Sequence, residues 1–68
     1  MIMKLYDLPN KSFLRVETGD GMKDAIFDHP DGAYSYCYLE EDKDKTFHLS
    51  MSTPLTLVDG RYEIDYEI

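Results

Sequence analysis

An Asp59-Gly60 pair lies between two alternating segments, Leu55-Thr56-Leu57-Val58 and Arg61-Tyr62-Glu63-Ile64-Asp65-Tyr66-Glu67-Ile68. Glycine takes a positive φ at no steric cost and aspartate tolerates it, so this is the strongest short-range hairpin signal a sequence carries. A two-residue turn there sets Val58 opposite Arg61, Leu57 opposite Tyr62 and Leu55 opposite Ile64. Apolar side chains then meet on one face, and Glu63, Asp65 and Glu67 gather on the other. A slip of one residue would invert every assignment, so the agreement between turn and pattern fixes the register.

The rest of the chain reads as further short strands. Ser12-Phe13-Leu14-Arg15-Val16-Glu17 alternates with Leu14 and Val16 on one face, after a loop marked by Pro9 and Asn10. Thr18-Gly19-Asp20-Gly21 is a turn, and Lys23-Asp24-Ala25-Ile26-Phe27-Asp28 is a second short strand. His29-Pro30-Asp31-Gly32 has the composition of a turn, with proline presetting φ and glycine returning the chain. Ala33-Tyr34-Ser35-Tyr36-Cys37-Tyr38-Leu39 has a strict period of two. Glu40 to Lys45 are consecutive charges and read as an exposed hairpin loop. Thr46 to Ser52 alternate again, with Phe47, Leu49 and Met51 on one face. Pro54 cannot donate to a ladder and restricts Thr53, so a bend, bulge or 3₁₀ turn is expected there.

No window has a helical period and no repeat is visible. Five or six short strands with tight turns predict an all-β fold: a small SH3-like barrel or a strongly bent antiparallel sheet. Such a likeness of fold carries no function with it.

At 68 residues the chain is expected to form a single domain, residues 1–68. So small a domain buries only about 60% of its unfolded surface and is marginal unless stapled. Cys37 is the one cysteine, which excludes an internal disulfide, and no Cys/His set has zinc spacing. Self-association is the remaining staple, and a monomer and a homo-oligomer are equally compatible with the sequence. The lone thiol and the early charges at Lys4 and Asp7 predict a cytoplasmic protein without a secretory leader. No apolar run is long enough to span a bilayer.

Seven basic against fourteen acidic residues give a net charge of −7, which repels phosphate backbones and disfavours direct nucleic-acid binding. It suits a basic partner protein, including one that itself binds nucleic acid. Six tyrosines and three phenylalanines argue for a packed chain over a disordered one.

Three stretches carry a resemblance: Leu5-Tyr6-Asp7-Leu8-Pro9 with Ser12-Phe13-Leu14-Arg15-Val16, then Asp31-Gly32-Ala33-Tyr34-Ser35-Tyr36-Cys37, then His48-Leu49 with Thr53-Pro54. Together they resemble small bacteriophage-encoded proteins of unassigned activity. The resemblance implies a phage or prophage origin, action in the host cytoplasm, and the host-directed binding or anti-defence roles common among small acidic phage proteins.

Among the chemistry-bearing residues, Tyr34, Tyr36 and Tyr38 share one strand face, opposite Ser35, Cys37 and Leu39. Turn register decides which face is inward. An outward row would stack on a ligand or anchor a partner protein, whereas aromatic rows more often build cores. Glu63, Asp65 and Glu67, about 6.7 Å apart along one face, form an acidic docking row or a solvated face that blocks edge aggregation. Asp28, His29 and Asp31 are explained as turn residues without invoking a metal. Cys37 with His48 would make a thiolate pair only if the thiol were exposed. No cofactor motif and no catalytic constellation is present.

The sequence therefore predicts a non-enzymatic binding module that engages a host protein through Tyr34, Tyr36, Tyr38, Glu63, Asp65 and Glu67. The alternative is an oligomeric sponge for a small ligand such as a nucleotide signal, with a tyrosine stacking and Lys11, Arg15 or Arg61 pairing with phosphate.

Overall fold

A computed structural model describes residues 3–67, with side chains described as far as residue 64. Its elements are β1 (Met3–Lys4), a 3₁₀ turn (Leu5–Asp7), β2 (Ser12–Thr18), β3 (Gly21–Asp31), β4 (Tyr34–Leu39), β5 (Asp42–Phe47), β6 (Pro54–Val58) and β7 (Arg61–Glu67). The seven strands are joined in one sheet of order β1-β6-β7-β2-β3-β4-β5. The fold is all-β, with more strands than the five or six expected. The sheet is mixed instead of purely antiparallel, because β2 and β7 run parallel.

The β6–β7 hairpin has the register that the Asp-Gly turn dictates: Leu55 pairs with Ile64, Leu57 with Tyr62 and Val58 with Arg61. Asp59 and Gly60 have φ of 52° and 82°, the left-handed pair a type I′ turn requires. Leu55 and Ile64 are buried, whereas Leu57 lies at the rim, 59% exposed.

Two boundaries differ from the sequence reading. His29, Pro30 and Asp31 belong to β3, and the turn is Gly32-Ala33, with Gly32 at φ 65°. Proline is tolerated in this strand because Pro30 lies opposite Ser35, whose N–H points away from β3 to the Leu49 carbonyl at 2.7 Å. That pair exchanges no ladder bond, so the missing proline donor is not called on. The charged stretch likewise does not form a long loop. The chain turns at Glu40-Glu41 and enters β5 at Asp42. β5 is an edge strand, where charges on both faces discourage pairing with another chain.

The core lies on one side of the sheet. Leu14 and Val16 from β2, Ala25 and Phe27 from β3, Cys37 and Leu39 from β4, Leu55 and Ile64 complete it with Leu5 and Leu49. Phe47 and Met51 pack against its margin, as the alternation through Leu49 predicts.

Among the described residues the ladder does not close into a barrel, and β1 and β5 are its edges. Residues 49–53 run between the two ends instead. Their bonds on one side are Ser35 N–H to Leu49 O at 2.7 Å and Met51 N–H to Ala33 O at 3.0 Å. On the other side Tyr6 N–H reaches Met51 O at 2.9 Å and Leu5 N–H reaches Thr53 O at 3.0 Å. The bend expected at Thr53-Pro54 falls at residues 51–52, and the 3₁₀ turn is at Leu5–Asp7.

Ser35 fastens this segment. Its buried hydroxyl donates to Leu49 O at 3.0 Å and accepts from Leu49 N–H at 3.2 Å. Ser35→Ala leaves a buried N–H without that acceptor, so it is expected to cost about 1–3 kcal/mol. A lowered urea midpoint at unchanged slope would show this. An unchanged midpoint would mean that the hydroxyl does not hold the segment.

Candidate functional site

β4 divides the molecule. Ser35, Cys37 and Leu39 point into the core, leaving Tyr34, Tyr36 and Tyr38 on the outer face. Tyr34 is 58% exposed, and Tyr36 and Tyr38 are half-buried against their neighbours on that face. The tyrosine row is therefore outward, and the core is built by its opposite.

Strand register surrounds this row with partners. Asp31 lies opposite Tyr34, His29 opposite Tyr36 and Ile26 opposite Tyr38. A bulge between Phe27 and His29 inserts one residue into β3, so both Asp28 and His29 reach the outer face. His29 stacks on Tyr36 with ring centroids 5.3 Å apart and planes 13° from parallel. From the other side His48 meets Tyr36 edge-on at 5.8 Å.

Hydrogen bonds set the tautomers of both imidazoles. His29 Nδ1–H donates to Asp28 Oδ2 at 2.6 Å, and His48 Nδ1–H donates to the Ser35 carbonyl at 2.9 Å. A carbonyl can only accept, so in neutral His48 the Nε2 atom is the free acceptor. Asp31, Tyr34 and His48 line an open cleft of about 390 Å³.

Asp28 also holds Lys11, and these bonds keep its carboxyl below the usual carboxylate range, Lys11 contributing most and His29 next. A depressed carboxylate pKa contributes stability above the unfolded-state value, lost as pH falls through the folded one. The stability gap between wild type and Asp28→Asn should thus be level near neutrality, begin to shrink near the ordinary carboxylate pKa of about 3.9 and vanish only below the lower folded-state value. Thermal unfolding across pH measures it, and a gap that widens in acid would contradict the assignment.

The other sequence candidates lie elsewhere. Glu63 is on the outer face beside Arg15, with 4.0 Å between Oε2 and the guanidinium. The side chains of Asp65 and Glu67 lie outside the described residues. Arg15 also approaches Asp24 at 3.8 Å, and Arg61 approaches Asp24 at 3.5 Å and Glu40 at 4.0 Å. The Arg61 guanidinium sits over the Phe13 ring at 5.3 Å. Lys11, Arg15 and Arg61 are thus all engaged by carboxylates, which a phosphate would have to displace. A second groove, about 350 Å³ between Met22, Lys23, Asp24, Glu40 and Glu41, has its cation paired as well, Lys23 to Glu41 at 3.0 Å.

Cys37 is buried, its thiol pushed up by desolvation, and its Sγ lies 3.2 Å from Ser35 Oγ. His48 is on the outer side, so the two do not form a thiolate pair. Among the described residues no three His, Cys, Asp or Glu side chains converge as metal ligands. Among the same residues no helix is long and apolar enough to cross a membrane.

In the sequence His29 falls within a turn-like stretch and His48 within a separate alternating segment, and nothing local joins either to the tyrosines. Counting outward from a Gly32-Ala33 turn pairs Asp31 with Tyr34 and His29 with Tyr36, which is the signal that would have found this cluster. Comparison of the chain with protein-family models, curated proteins and solved structures finds no match.

Proposed function

We propose that the protein is a non-enzymatic binding module that holds a basic segment of a partner protein against the outer face of β4. One observation carries this reading. β4 presents Tyr34, Tyr36 and Tyr38 outward while its other face makes the core, and two imidazoles fix Tyr36 from either side. Tyrosine offers a broad contact area with few rotamers to freeze and is enriched where proteins meet. The net charge of −7 favours a basic partner and speeds its approach. The seven-stranded sheet, with residues 49–53 tying β4 to the β1 end, serves in this reading as a barrel-like scaffold that keeps β4 rigid. The resemblance to phage-encoded proteins makes a host protein the natural partner.

The test is a random-peptide selection on the immobilised protein at about 0.15 M salt, which shortens general charge attraction to a Debye length of about 8 Å. Peptides also retained by a Tyr34→Ser variant are removed. Enrichment of basic peptides specific for the wild type supports the reading. Recovery only of peptides that bind both proteins equally would overturn it.

A further inference from the structure

We infer that the cleft between Asp31, Tyr34 and His48 receives an arginine side chain of the partner protein, an assignment that rests on the β4 face being the protein-binding surface. The three residues that line the cleft carry a carboxylate, an aromatic ring and an imidazole. Asp31 has no cation beside it among the described residues, unlike Asp28, which holds Lys11, and Asp24, which faces Arg15 and Arg61. Tyr34 lies across the strand pair from Asp31 and is 58% exposed, so its ring is open to stacking. His48 is held by the Ser35 carbonyl at Nδ1 and by the edge contact with Tyr36. In the neutral form of the ring, Nε2 is the acceptor.

This set matches one side chain best. Guanidinium is planar, carries five N–H donors and no acceptor, and stacks on aromatic faces while bonding a carboxylate. Lysine could pair with Asp31, but its compact, strongly hydrated ammonium uses the ring less well. A phosphate or carboxylate would meet Asp31 and the acidic surface, and an apolar side chain would cover Asp31 without a partner for it.

The experiment is an NMR titration of the intact protein with N-acetyl-arginine amide, compared with the neutral isostere N-acetyl-citrulline amide. Arginine amide should give saturable shifts at Tyr34, Asp31 and His48 with a millimolar dissociation constant, and citrulline amide should not saturate. Asp31→Asn, an exposed substitution, should weaken the arginine response about tenfold, the scale of one charge-assisted hydrogen bond. Equal responses to the two probes, or shifts that avoid the cleft, would overturn the inference. Selected peptides that need Tyr34 but contain no essential arginine would overturn it and leave the binding face standing. Peptides indifferent to Tyr34 would overturn both.

Discussion

Phe27→Ala is expected to leave the protein largely unfolded at 37 °C. Phe27 is fully buried on β3, where it lies between Ser12 of β2 and Cys37 of β4. Truncating a buried phenylalanine removes its transfer free energy and leaves a cavity, about 3–5 kcal/mol together. At about 0.05–0.15 kcal/mol per residue, a chain of this length has roughly 3–10 kcal/mol in total. The melting temperature should fall by more than about 12 °C, since each kcal/mol shifts a domain of this size by about 4–8 °C. A fall below about 4 °C would show that the inward side of the sheet is not where the stability resides.

Tyr34→Ser should do the reverse. The side chain is 58% exposed and its loss should change stability by no more than about 0.5 kcal/mol. As an anchor beside the cleft it should be a binding hot spot, and truncating one costs about 2 kcal/mol or more, near thirtyfold in affinity for a basic peptide selected on the wild type before any Tyr34→Ser subtraction. Calorimetric titration and thermal unfolding of the same preparation separate the two effects. Affinity retained within about threefold would place the contact elsewhere on the molecule.

These two substitutions sit on opposite sides of the same pair of strands, and the sequence made that division only half visible. The β6–β7 register was legible because Asp59-Gly60 admits one turn and one alternation. The alternation of β4 was legible too, but not its polarity. Three polar-tipped aromatics and a Ser/Cys/Leu row are both acceptable core faces, and the choice is made by Ser35, whose hydroxyl is consumed by Leu49 in the interior. Local composition misplaced the β3–β4 turn, because Pro30 looks like a breaker until the non-ladder position opposite Ser35 is known. It hid the start of β5 for a similar reason: an edge strand is allowed to be charged on both faces, so it reads as a loop. The parallel β2–β7 pairing has no local signature at all, being a contact between residues far apart in the chain. The site follows the same rule. Its tyrosines were readable from period two, and its histidines arrive through a bulge and a bridging segment that no short motif encodes.

The most direct measurement is the footprint of a selected basic peptide, mapped by amide and side-chain chemical-shift changes on the labelled protein. The account predicts that the largest changes fall on Tyr34, Tyr36, His29 and His48, with the inward residues Cys37 and Leu39 little affected. A footprint centred on Leu57 and Glu63, with the tyrosines silent, would contradict it.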